Sequence, residues 1–186
     1  MKTKILLFLL VVQILVSCSP TQKTTPDLTS EIPEFKEYFE TLTKQSTEWE
    51  PDAYMYMVDI PIGRKNWMLS ASFYSPTNNR ESLEVLLELD GNLSIRKYGH
   101  EFGILQQEPI LISQLEIGSR DALKILFAEN TSSITALTEV CGSLILGRGS
   151  TIPNRPLLWI LYYNECGSPF QSHSYLNPLT GKIVIP

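Results

Sequence analysis

Hydrophobic residues recur along this chain with two different periods, which predict where helices and strands lie. A first stripe at helical spacing follows Ser30, a suitable N-cap residue, and consists of Ile32, Phe35, Phe39 and Leu42. A second stripe follows Ser119 and consists of Ala122, Leu123, Leu126 and Phe127. Each stripe predicts one amphipathic helix.

Alternating segments predict antiparallel strands between and after these helices. In the first of them, Tyr54, Tyr56, Val58 and Ile60 are expected on one face, and Met55, Met57 and Asp59 on the other. The further predicted strands cover residues 67–74, 83–89, 93–97, 141–146, 156–163, 175–177 and 182–185. Asp90-Gly91 and Thr180-Gly181 are typical of hairpin turns.

The order of a helix followed by antiparallel strands occurs twice. Phe39 and Trp67 of the first half correspond in order to Phe127 and Trp159 of the second half. The pattern therefore predicts an α+β fold of two modules in tandem, each a helix packed on an antiparallel sheet, at residues 31–112 and 113–186. The alternative is a single meandering α+β domain.

Several strands carry apolar residues on both faces. The second apolar set consists of Met55, Met57, Met68, Tyr74, Leu158, Ile160 and Tyr162. Either two sheets pack against each other through these residues, or an apolar sheet face is offered to a partner. We expect internal packing, because a large open apolar patch favours aggregation.

The amino terminus has the pattern of a secretion signal. Lys2 and Lys4 precede an apolar run too short to span a bilayer, and Leu15-Val16-Ser17-Cys18 ends it. These residues resemble the bacterial lipobox, which implies cleavage before Cys18 and lipid attachment to its sulfur. Residues 1–17 are then a signal peptide and 18–30 a lipidated, flexible tether. Ser19 favours the periplasmic face of the outer membrane in a Gram-negative host.

Charge narrows the choice of partners. The whole chain carries 15 basic and 20 acidic residues, and removal of the segment with Lys2 and Lys4 makes it more acidic still. No nucleic-acid partner is expected for such a chain without a basic cluster. Its surface would also be repelled by anionic headgroups, so the expected membrane contact is the lipid on Cys18.

Each half is similar to a PepSY module, in which a helix precedes an antiparallel meander that contains a tryptophan and ends in a turn with glycine. The second half carries Arg155-Pro156-Leu157-Leu158-Trp159 and Leu179-Thr180-Gly181-Lys182-Ile183, and the first carries Asn66-Trp67 and Leu89-Asp90-Gly91-Asn92-Leu93. The resemblance implies a non-enzymatic protein that binds or restrains another protein outside the cytoplasm.

Few residues have a pattern typical of catalysis. His100 and His173 stand in no metal-ligand spacing, and no nucleophile motif is present. The Gly147-Arg148-Gly149 run precedes no helix and predicts a hairpin loop rather than a phosphate site. We therefore expect no catalytic residue, no metal and no cofactor.

Two cysteines remain after lipid attachment. Cys141 and Cys166 flank the predicted hairpin of strands 141–146 and 156–164, and the expected compartment favours oxidation, so we expect a disulfide between them.

The predicted function is that of a non-enzymatic, lipid-anchored envelope protein that binds a protein or peptide. Restraint of a peptidase is one form that such binding would take. The alternatives are a small extracytoplasmic hydrolase, which would need a concave site with His100 or His173, and a structural envelope component.

Overall fold

The computed structural model describes residues 32–63, 67–101, 107–130, 140–149, 152, 154–165 and 172–185. The predicted signal peptide, Cys18, the tether and Cys166 lie outside these residues.

The described chain forms two helices, a short 3₁₀ turn and eight strands. Helix α1 (Phe35–Trp49) is followed by β1 (Tyr54–Ile62), β2 (Trp67–Tyr74), β3 (Glu81–Glu88) and β4 (Leu93–Gly99). The 3₁₀ turn (Ile112–Gln114) leads to α2 (Ser119–Asn130), β5 (Val140–Arg148), β6 (Leu157–Glu165), β7 (Ser172–Leu176) and β8 (Ile183–Val184).

All eight strands belong to one antiparallel sheet, in the order β4-β3-β2-β1-β5-β6-β7-β8. The centre of the sheet is the pair of β1 and β5, in which Val58 lies opposite Leu146 and Ile60 opposite Leu144. The prediction of two tandem helix-on-sheet modules is therefore wrong, and the fold is a single sheet-rich domain. Pairing of β1 with β5 satisfies backbone groups that two separate sheets would leave at open edges.

The main core lies between the two helices and one face of the sheet, which we call the covered face. Phe35 and Leu42 of α1 and Leu123 and Leu126 of α2 are fully buried against it. Trp159 of β6 is also fully buried, and its indole Nε1–H donates a hydrogen bond of 3.0 Å to the Ile117 carbonyl oxygen. The helical stripes predicted from the sequence thus supply the core.

The residues before α1 bind the first turn of α2. Backbone N–H groups of Ser119 and Arg120 donate to the two carboxylate oxygens of Glu34, at 3.1 and 3.3 Å. In return, the Ser119 hydroxyl accepts from the Phe35 N–H at 2.9 Å and donates to the Pro33 carbonyl at 2.8 Å. These bonds satisfy N–H groups that a helix start leaves without intrahelical partners.

A β-bulge interrupts β1. Met55 lies opposite Phe73, but Met57 lies opposite Ser72, so Tyr56 is an extra residue. The bulge shifts the alternation, and Met55 joins Val58 and Ile60 in the core. The predicted grouping of Tyr54 and Tyr56 with Val58 is therefore wrong.

Candidate functional site

The face of the sheet opposite the helices, which we call the open face, is apolar across β5 to β8. Leu158, Ile160 and Tyr175 form a small cluster there, against which Ile145, Ile152, Tyr162 and Val184 pack. Because all strands share one sheet, the expected packing of two sheets through these residues is wrong. Among the described residues, this cluster is covered by its own neighbours rather than by a second layer.

A groove of about 190 Å³ crosses the open face where β1, β5 and β6 meet. The strands line it with Tyr56, Met57, Ile145, Gly147, Ile160 and Tyr162. An unbroken strand would point Tyr56 and Met57 to opposite faces. The bulge in β1 is what allows both side chains to line the groove.

Two arginines and a glutamine add polar groups to this lining, namely Arg148, Arg155 and Gln107. One guanidinium nitrogen of Arg148, Nη2, lies 2.9 Å from Glu108 Oε2. The Nε atom of Arg148 is buried and has no hydrogen-bond partner within the described part of the chain. A buried donor left in this way costs roughly 1–3 kcal/mol, so an acceptor supplied by a ligand would be stabilising.

The backbone before β6 is held in an unusual conformation beside the groove. Asn154 and Arg155 have φ angles of 63° and 41°, in the left-handed region that residues other than glycine rarely adopt. Asn154 tolerates this region better than most residues, but Arg155 does not. Such strain concentrates at functional sites, and here it fixes an exposed arginine next to the groove.

Two phenols of the groove keep their protons over a wide pH range. Burial raises the pKa of Tyr56 and outweighs a hydrogen bond with Ser72, while the nearby Glu84 carboxylate raises it further. Burial also raises the pKa of Tyr162, and Tyr175 adds to this effect. Both hydroxyls therefore remain neutral hydrogen-bonding groups below pH 10 or so.

The other half of the open face, across β3 and β4, is polar. The Tyr98 hydroxyl donates to Glu84 Oε2 at 2.8 Å, and Arg96 Nη1 lies 3.9 Å from the same oxygen. The Ser94 hydroxyl donates to Glu88 Oε1 at 2.5 Å. These groups satisfy one another, which is typical of a solvated sheet face.

The structure separates the two histidines. His100 Nε2 lies 2.9 Å from the Ser82 hydroxyl, a pairing of nucleophile and base types that the sequence analysis missed. Among the described residues no carboxylate bonds to the other nitrogen of this ring. His173 lies at the far side of the open face, with its ring centre 5.4 Å from that of Tyr175 and 6.2 Å from that of Tyr162.

The predicted hairpin around the cysteines is confirmed. Strands β5 and β6 are antiparallel, and Cys141 lies opposite Asn164, two positions before Cys166 in the sequence. Cys166 itself falls outside the described residues. The disulfide between Cys141 and Cys166 therefore stays a prediction.

Within the ranges that the structure describes, no group of three or more histidine, cysteine or acidic side chains could hold a metal ion. In the same ranges no helix is both long and apolar enough to cross a membrane.

Met57, Ile160 and Tyr162 belong to the apolar set predicted from the sequence, but the arginines beside them belong to no predicted site. The sequence predicts a hairpin loop at Arg148, whereas this residue ends β5 and pairs with Glu108. A signal was available, because Arg148 and Arg155 flank a short turn in an acidic chain with few basic residues. Gln107 and Glu108 carried no comparable signal, since only the tertiary fold brings them to β5.

A solved structure of another protein has a similar fold. A crystal structure of a "putative lipoprotein" from Clostridium difficile 630 superimposes with a TM-score of 0.57 over 83% of this chain and 91% of that chain, at 8% sequence identity. No protein-family profile and no curated protein matches the sequence. No match supports the resemblance to PepSY modules, and the single eight-stranded sheet contradicts the tandem arrangement that this resemblance implied.

Proposed function

We propose that this chain is a non-enzymatic lipoprotein of the cell envelope that binds a protein or peptide partner on its open sheet face. The observation that carries the proposal is the groove at the β1–β5–β6 junction, which combines apolar strand residues with two arginines. Exposed or partly exposed apolar surface next to convergent polar groups is typical of a binding site.

The position of Ile32, where the described chain begins, supports this use of the open face. Ile32 belongs to the core on the covered face, and its carbonyl oxygen accepts a hydrogen bond of 3.1 Å from Arg120 Nε in α2. The chain therefore enters the fold on the helix side of the sheet. A tether attached there leaves the groove, on the opposite side, accessible to a partner.

The anchor rests on the lipobox at residues 15–18, and the name of the Clostridium difficile protein agrees with it. Mass spectrometry of the mature amino terminus tests it, with a lipidated Cys18 as the expected result. Cys18→Ala should leave the precursor uncleaved or release the protein from membranes. An unmodified terminus at Cys18 or Ser19 would refute the anchor.

Site-specific crosslinking in intact cells tests the binding face. A photoreactive residue at position 162 or 173, both on the open face, should capture the same partner, whereas one at exposed Glu40 of α1 should not. Capture from position 40 alone would move the binding face to the helices. Restraint of a peptidase, as the PepSY resemblance implies, is supported if the captured partner is a peptidase whose activity falls on addition of the purified protein.

A hydrolase is the second candidate, and the Ser82–His100 hydrogen bond is what favours it. Ser82 is buried in the sheet, and the missing orienting carboxylate argues against a complete triad among the described residues. We expect Ser82→Ala, and alanine at both His100 and His173, to leave biological activity within a small factor. A loss of several hundredfold with the fold intact would establish the enzyme instead.

A further inference from the structure

The size of the groove limits what it can hold. Pockets that enclose a whole small-molecule ligand usually measure roughly 300 Å³ or more. This groove measures about 190 Å³ and is bounded by the sheet on one side. It therefore fits one residue of a longer molecule better than a complete ligand.

The groove lining is complementary to two chemical groups of a ligand. Ile145, Ile160 and Gly147 offer an apolar surface on which a side chain can lose its hydration. Arg148 and Arg155 are cations, in a chain whose acidic residues outnumber its basic ones by 20 to 15. Guanidinium groups bind planar carboxylates through paired N–H donors. The complementary group is thus an apolar side chain with a carboxylate close to it.

The geometry of a peptide decides where such a carboxylate comes from. In an extended chain, successive side chains point to opposite faces. An internal aspartate or glutamate and its apolar neighbour would therefore point away from each other and could not share one small groove. A C-terminal residue carries its carboxylate and its side chain on the same Cα atom, so both enter together.

We propose that the groove binds the C-terminal residue of a partner, with the free carboxylate at Arg148 and Arg155 and a large apolar side chain against Ile145, Ile160 and Gly147. This inference rests on the proposed function and specifies what the open face recognises. Capture of a terminal carboxylate is an established mode of peptide recognition.

Glu108 gives the site an internal competitor. Its carboxylate occupies the Nη2 position of Arg148 at 2.9 Å, although the Glu108 side chain is 65% exposed. Because the Glu108 side chain of this pair is exposed to solvent, a partner carboxylate can replace it while the Arg148 guanidinium, 18% exposed, stays paired. Removal of the Glu108 charge should therefore strengthen binding of acids.

The test uses the lipidated protein in detergent and titration calorimetry with acetylated tripeptides that end in Phe or Ala, each as free acid and as amide. A fifth probe is an amidated peptide with Asp before Phe, which presents an internal carboxylate. The Phe acid should bind at least tenfold more tightly than the Phe amide, the Ala acid and the Asp-containing amide. Equal affinity for acid and amide, or no binding by any probe, would overturn the proposal. Equal binding of the internal aspartate would assign the groove to acidic side chains instead.

Variants locate the binding. Arg155→Gln should lower the affinity for the Phe acid about tenfold and leave the affinity for the Phe amide unchanged. Arg155→Lys should lower the affinity for the Phe acid less, because the positive charge remains. A methyl group at Gly147 would lie 3.8 Å from both Ile145 Cγ2 and Met57 Cγ, in ordinary contact, and would narrow the groove. Gly147→Ala should therefore lower the affinity for the Phe acid but not for the Ala acid. Glu108→Gln should raise the affinity for both acids severalfold. If none of these variants changes the affinity of any probe, the site is refuted.

The crosslinking experiment separates the two levels of the proposal. If positions 162 and 173 capture a partner but the peptide acids and amides bind alike, only the C-terminal recognition fails. If neither experiment detects binding on the open face, the proposed function fails as well.

Discussion

Trp159 and Ile160 are neighbours in β6, yet they serve opposite faces of the sheet. The Trp159 ring is fully buried, packs edge-on to Phe35 with ring centres 6.4 Å apart, and has its N–H bonded to Ile117. Ile160 belongs to a small cluster and lines the groove. The covered face is closed by both helices, whereas among the described residues the open face is completed by neighbouring side chains. The comparison indicates that stability resides mainly on the covered face, and the open face is the one for which we propose recognition.

The largest expected contrast comes from truncating one residue on each face of β6. Trp159→Ala should lower the free energy of unfolding by about 3–5 kcal/mol, because it creates a cavity and removes a hydrogen bond. Tyr162→Ala should lower it by about 1 kcal/mol or less, because the Tyr162 side chain is only partly buried. Urea denaturation measures both, and equal losses would break the division between the faces.

The predicted disulfide would be an exception, because it would contribute stability on the open face. Cys141 follows the alternation of Ser143 and Ile145, so it lies on the open face. A bond to Cys166 would close a loop of about 25 residues and contribute about 3 kcal/mol through the unfolded state, whatever the packing of that face. The double serine variant should be destabilised by this amount. Peptide mapping without reductant checks the pairing, and two free thiols in protein from the envelope would refute it.

Two glycines of β5 allow the packing of the two faces to be compared by adding a methyl group instead of truncating a side chain. A Cβ atom at Gly142 would overlap the Tyr162 carbonyl oxygen and lie 2.9 Å from Tyr163 Cα, both of them backbone atoms. Gly142→Ala should therefore cost about 1–3 kcal/mol, since β6 must shift. Gly147→Ala is the matched control on the open face and should change the unfolding free energy by less than about 0.5 kcal/mol. If the control is equally destabilised, the open face is packed more tightly than we infer.

The smallest expected effect depends on pH. The raised pKa values of Tyr56 and Tyr162 mean that the folded protein holds these protons more firmly than the unfolded chain does. Their contribution is complete below pH 10 or so and disappears as the pH rises through the raised values. The Tyr56→Phe/Tyr162→Phe variant should match the wild type at pH 7 and lose less stability above pH 10. Parallel unfolding curves at pH 8 and pH 11 decide this, and an unchanged alkaline loss contradicts it.

The periodic parts of the fold could be predicted from sequence because they depend on local alternation. The stripe that contains Phe35 and Leu42 gave α1, and the turn at Asp90-Gly91 gave the β3–β4 hairpin. The joining of the two halves into one sheet could not be predicted, because it depends on backbone hydrogen bonds between β1 and β5. The side-chain pattern of these strands would be the same if each lay at the unpaired edge of a separate sheet.

The site was less predictable for a similar reason. The extra residue Tyr56 leaves no mark in the composition of β1, yet it changes the face of every residue before it. The alternation from Val58 to Ile60 was correct because it lies after the bulge. The arginine and glutamine lining of the groove depends on segments far apart in sequence, which only the tertiary fold brings together.

The hydrogen bonds between Ile32–Glu34 and the start of α2 also determine how the domain would respond to force. A protein held by a tether at its amino terminus and pulled by a bound partner is loaded first at residue 32. The bonds from Phe35, Ser119 and Arg120 cross between the first and second halves of the chain at that point. They would be stretched together rather than opened one after another. If the proposed tether transmits tension, this junction would act as a mechanical clamp that loads both helices before any strand of the sheet is peeled away.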